Sequence, residues 1–141
     1  MKVLVAIDGS ECALHALQYI IEHRAFFSAN PELVLVNVHL PLPSVRSKAV
    51  LGSEVIERYY ADEAEAALAP ARAMLAEKPC HSIERSLIGQ PSALIIATAQ
   101  QEGCDLIVMG TQGRSALGNL QMGSVATRVI ATSPVPVLSV K

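Results

Sequence analysis

Gly110-Thr111-Gln112-Gly113 and, nine residues further on, Gly123-Ser124 are the residues whose types and spacing could do chemistry. Glycine lets the main chain approach a ligand closely and adopt positive φ, and the unmet N–H groups at a helix start attract anions through geometry and the helix dipole. Two glycine turns running into a fresh helix describe a cage of N–H groups suited to phosphate. The first glycine follows the apolar run Leu106-Ile107-Val108-Met109, so the cage begins where a buried strand would end, the place where open α/β sheets take their ligands. Charge agrees with an anion site. Leu106 to Lys141 contains no Asp or Glu and carries Arg114, Arg128 and Lys141, a charge of +3 against −5 for residues 1–105. Arg114 reads either as a phosphate contact or as a solvent-facing charge.

The elements that must position these groups are legible as an alternation of strands and helices. Val3 to Ile7 is a short continuous apolar run, as expected of a strand covered on both faces, and Asp8-Gly9-Ser10 turns the chain. Ser10 is a good N-cap for a helix that places Ala13, Leu14, Leu17, Ile20 and Ile21 on one face. Leu33 to Val38 is a second strand, and a loop containing Pro41 and Pro43 runs to Gly52. Ser53 is expected to cap a long helix with Ile56, Tyr60, Ala64, Ala67, Ala71 and Leu75 at helical spacing, kinked at Pro70. Tyr59 and Tyr60 are read as core packing. His81 to Leu87 alternates polar and apolar residues and reads as an edge strand; a helix from Pro91 to about Gln101, the strand from Leu106 to Met109, a helix from Gly123-Ser124 to about Thr132 and the strand Val137–Val140 follow. Prolines 134 and 136 make the last strand the other edge. With right-handed crossovers the expected fold is a doubly wound, open, parallel five-stranded sheet of order 3-2-1-4-5 with helices on both faces. Strand order reverses between the first and fourth strands, so Asp8 and Gly110 should face one crevice. A carboxylate beside an anion cage suits a nucleotide. Asp8 also has the alternative role of capping the first helix or organising its turn, but ligand contact is favoured because Gly110 should lie opposite.

Composition sets the remaining bounds. A chain of 141 residues is expected to be one domain, 1–141, and no apolar stretch approaches the roughly 18 residues needed to cross a bilayer. Met1-Lys2 precedes only five apolar residues before Asp8, too few for a secretory signal, which makes a cytoplasmic location the expectation. Cys12, Cys80 and Cys104 are odd in number and lack a Cys-x-x-Cys pair, and the four histidines lack ligand spacing, so no disulfide framework or metal site is indicated. His39 stands nearest the crevice. A net charge of −2 with no basic cluster gives no nucleic-acid footprint, and no membrane partner is expected.

Val5-Ala6-Ile7-Asp8-Gly9-Ser10, Asp105 to Thr111, Gly113, Gly123-Ser124-Val125 and Pro134-Val135-Pro136-Val137-Leu138 together resemble the universal stress protein family, along the whole chain and in order. The Gly-x2-Gly-x9-Gly-Ser pattern is similar to that of the family's nucleotide-binding branch. The resemblance implies ATP in the crevice, with Mg2+, and a homodimer formed through the last strand. It implies that Ala6, Asp8 and Leu40 lie at the base and ribose end with Met109 at their border. Gly110, Gly113, Gly123, Ser124 and Val125 would hold phosphates. Ala6 stands where family members often carry proline, which would loosen the base pocket and leave the phosphate cage intact.

Three kinds of function follow. The first is an ATP-binding stress-response module, acting as a homodimer, whose nucleotide state tunes contacts with a protein partner. The second is a slow ATPase or phosphotransferase. Against it, the chain lacks the Gly-Lys-Ser/Thr of a Walker motif, and no catalytic residue is assigned. The third is a dimeric interaction protein with a vestigial pocket, since an apolar edge strand needs cover whether or not the crevice binds anything. A receiver domain is excluded because the third strand ends in Leu87-Ile88-Gly89 with no phosphoacceptor Asp, and flavin binding ranks low because the first loop is short and acidic.

Overall fold

Val3, Leu4 and Val5 are all inaccessible to solvent, although alternate side chains of a strand point to opposite faces. That requires a strand at the centre of a sheet with both faces covered. In the computed structural model, which describes residues 1–43, 52–113 and 122–141, this strand is β1 (Lys2–Ala6). It is followed by α1 (Glu11–Glu22), α2 (Arg24–Phe27), β2 (Glu32–His39), α3 (Ser53–Glu77), β3 (Ser82–Ile88), α4 (Pro91–Gln101), β4 (Leu106–Gly110), α5 (Ser124–Thr132) and β5 (Val137–Val140). The sheet order is β3-β2-β1-β4-β5 and all four pairings are parallel, with Val5 opposite both Leu35 and Val108. The expected doubly wound order and both edge strands are therefore present.

Two apolar layers hold the sheet. Val3, Val5, Leu33, Leu35 and Val108 pack with Leu17 and Ile20 of α1 and Leu68 and Ala71 of α3. On the opposite face Leu4, Val34, Val36, Ile107 and Met109 pack with Ile95 and Ala99 of α4 and Ala126 and Val129 of α5. Exposed charged contacts fasten the periphery. Lys2 and Arg85 both reach Glu102, whose carboxyl is held below its usual range by hydrogen bonds from Lys2 and then Arg85.

Two local expectations change. The long helix is capped by Gly52, not Ser53: the backbone enters α3 at φ 78°, a conformation that favours glycine, and Ser53 is the first helical residue. The helix runs from Ser53 to Glu77 without interruption at Pro70, which lies on its exposed side. The four-residue α2 was not expected, being too short to show a period. It ends at Ser28, which has φ 144° and a buried Oγ without a hydrogen-bond partner. Both features penalise serine at this position. Ser28→Gly should raise the unfolding free energy by about 1 kcal/mol, and Ser28→Ala by less, because alanine removes only the orphaned hydroxyl. Urea denaturation of the two variants checks this; a glycine variant no more stable than the parent would contradict it.

Candidate functional site

The crevice begins with the turn after β1. Asp8 Oδ1 accepts from the Ser10 N–H at 2.9 Å and from Ser10 Oγ at 2.5 Å, and Ser10 Oγ in turn accepts from the Ala13 N–H at 3.2 Å. Ser10 therefore caps α1 as expected, and Asp8 organises that cap. The other carboxylate oxygen faces the second loop, since a Cβ placed on Gly113 would lie 2.8 Å from Asp8 Oδ2. The two segments, about a hundred residues apart, meet because β1 and β4 are paired neighbours.

The glycines act through proximity and not through unusual backbone angles. Positive φ occurs at Gly9, Gly52, Gly89 and Gly103, and not at Gly110, Gly113 or Gly123, which corrects the expectation for the cage. Gly110 is required by packing: a Cβ there would stand 2.7 Å from the Cys12 carbonyl carbon and Cβ and 2.8 Å from its oxygen. The first turn of α1 thus rests directly on the main chain of β4. Gly123 precedes α5, and its N–H donates to the Thr111 carbonyl at 2.6 Å, so that N–H is already used. The first bond of α5 runs from the Thr127 N–H to the Gly123 carbonyl at 3.0 Å. The helix itself therefore provides no acceptor for the N–H groups of Ser124, Val125 and Ala126.

These elements enclose a cavity of about 440 Å3. It brings together Ala6, Asp8, Leu40, Met109, Gly110, Gly113, Gly123, Ser124 and Val125. Arg114 lies outside the described residues. Asn37, His39, Glu63 and Thr111 also line the cavity and were not assigned to it from sequence. Asn37 is 6% exposed and its Nδ2 donates to the Ile7 carbonyl at 2.8 Å. His39 Nε2 lies 3.7 Å from Glu63 Oε2, and the ring meets Tyr59 and Tyr60 near edge-on. The tyrosines are thus rim residues more than core: Tyr59 is exposed, and Tyr60 Oη accepts from the Leu42 N–H. The position of His39 at a strand end was visible in the sequence. The approach of Glu63 depends on how α3 is turned against the sheet, which no local pattern reveals.

Among the described residues no group of three His, Cys, Asp or Glu side chains could hold a metal ion, and no helix is long and apolar enough to cross a membrane. Burial pushes the Cys80 and Cys104 thiols above their ordinary range, and burial is the largest influence on each. The cavity wall contains Asp8 and Glu63 but, among the described residues, no lysine or arginine.

A parallel five-stranded sheet of this order, with a glycine-lined crevice at its switch point, defines a doubly wound α/β protein. The universal stress protein family model matches residues 1–141, and the chain belongs to that family. It is 34% identical over 140 residues to a universal stress protein of Methanocaldococcus jannaschii, covering 99% of this chain and 81% of that one. The universal stress protein UspA from Lactobacillus plantarum shares the fold, with a TM-score of 0.82 at 21% identity, covering 100% of this chain and 97% of the other. A universal stress protein solved in complex with cAMP aligns with a TM-score of 0.69 at 26% identity, over 100% of this chain and 97% of that structure.

The Gly110 contact yields a prediction about stability. Gly110→Ala should cost about 1–3 kcal/mol, because the Cys12 main chain must move to admit the methyl group. Denaturant unfolding measures the loss. An unchanged midpoint would mean that α1 does not bear on β4 as closely as described.

Proposed function

We propose that the protein is an ATP-binding stress-response module, a single domain over residues 1–141, that works in the cytoplasm as a homodimer and whose nucleotide state tunes contacts with a protein partner. One observation carries the reading. The N-terminus of α5, with three N–H groups the helix does not use, opens onto a cavity whose walls are glycine backbone at 110, 113 and 123. Such a wall suits phosphate. The N–H groups of Ser124, Val125 and Ala126 and the Ser124 hydroxyl would hold it, beside Gly110 and Gly113, with Ala6, Asp8, Leu40 and Met109 toward base and ribose. Mg2+ would arrive with the nucleotide, and Asp8 is the carboxylate beside the glycine loop. The cAMP complex of a similar protein supports an adenine nucleotide as the ligand class. The slow ATPase or phosphotransferase reading has less support, because no cation from the described residues lines the cavity to stabilise a transferring phosphoryl group.

Titration calorimetry of nucleotide-stripped protein with ATP, ADP and AMP in Mg2+ tests the site. Micromolar ATP binding is expected, lost in Gly113→Val, whose side chain enters the space beside Asp8 Oδ2. Absence of heat with every nucleotide, from folded protein, would leave the vestigial-pocket reading.

The homodimer rests on β5. The carbonyls of Pro136 and Val140 accept from Ile107 and Thr111 of the β4 segment, so the alternate residues Val137 and Ser139 direct their N–H and C=O groups outward. An edge with this pattern can pair across a two-fold axis. Ser139→Pro removes an outward donor without breaking a bond to β4. The parent should sediment as a dimer at micromolar concentration and the variant as a monomer. A monomeric parent would rule out the assembly.

A further inference from the structure

Strands β4, β1 and β2 stand side by side, so the chain ends that form the crevice follow one another in the order Gly110, Asp8, Leu40. Neighbouring strands lie about 5 Å apart, which puts the end of β2 roughly 10 Å from the glycine wall. That is the reach of a nucleoside from its 5′ oxygen to the far edge of its base. A phosphate at the start of α5 would therefore bring the base edge to His39, Leu40 and Glu63, which line the same cavity.

The side chains there form a pair of acceptors. His39 Nδ1 lies 2.6 Å from the Leu40 carbonyl, which can only accept, so Nδ1 carries the hydrogen and Nε2 of the neutral ring is an acceptor. Nε2 stands 3.7 Å from Glu63 Oε2, too far for a hydrogen bond between them and close enough for one amino group to donate to both. A carboxylate oxygen takes more than one hydrogen, so Glu63 can accept from a ligand beside any contact it makes within the chain. Tyr59, Tyr60 and Glu63 share a face of α3 by helical spacing. The two tyrosine rings meet the imidazole near edge-on, with centroids 5.5 and 5.4 Å away, and hold its plane. Ala6, Val38, Leu40 and Met109 supply apolar surface for the faces of a base.

We infer that His39 and Glu63 determine base specificity, selecting a nucleotide whose base edge carries an amino group and rejecting one whose edge carries a carbonyl. An exocyclic amine supplies two hydrogens, one for each acceptor. A carbonyl oxygen would face two acceptors and leave both unpaired. This selection rests on the nucleotide reading of the crevice. The test compares ATP with ITP, which carries oxygen in place of the amino group, by calorimetry in Mg2+ on the full-length protein. ATP is expected to bind at least about tenfold more tightly. Glu63→Gln presents an amide that can donate to the carbonyl, and His39→Phe keeps a ring against the tyrosines while removing the acceptor. Each should bring the ratio of the two affinities down toward one. Because the ratio is taken within one variant, a general loss of stability does not imitate the effect. Equal binding of ATP and ITP by the parent, or an unchanged ratio in either variant, would overturn this assignment alone, whereas failure of both nucleotides to bind would overturn the nucleotide reading with it.

Discussion

The contact between Gly110 and the first turn of α1 is the constraint on which the site depends. Because β4 carries no side chain at this point, the Cys12 backbone can approach where a methyl group would be only 2.7 Å away. That approach places the Ser10 cap, and with it Asp8, beside the loop leaving β4. A larger residue would lift the helix from the sheet and separate the carboxylate from Gly113. The packing of α1 on β4 and the position of Asp8 beside Gly113 therefore impose the same requirement on one residue.

Much of the architecture could be read from the chain because each relevant signal is local. The continuous apolar runs at Val3–Ile7 and Leu106–Met109 mark strands buried on both faces, and the alternation in His81–Leu87 marks an edge. Strand order followed once the two edges were identified. The site was legible wherever glycine or a strand end announced it, as at Asp8, Gly110 and Gly113. Glu63 and Asn37 were not legible. Glu63 belongs to a helix whose rotation is decided by Leu68 and Ala71 packing on β1 and β2, and Asn37 interrupts an apolar strand without any local clue to its Ile7 partner. Gly52 displaced Ser53 as cap because the backbone there adopts φ 78°, a conformation that favours glycine.

The motif glycines also separate two physical roles that sequence alone combines. Gly110 is packed against a helix, Gly113 leaves room for a carboxylate, and Gly123 binds the preceding loop through its N–H. The N–H groups that the helix leaves unused are consequently one step further along, in the opening turn of α5.

Thr111 joins two parts of the molecule that are otherwise far apart in role. Its N–H holds the Val140 carbonyl at 2.9 Å, and its own carbonyl holds the Gly123 N–H at 2.6 Å. One peptide segment is therefore the fulcrum between the edge strand β5 and the helix start that borders the cavity. Displacing either end would stretch or break one of these two bonds, so the edge strand and the helix start keep their relative positions through a single residue.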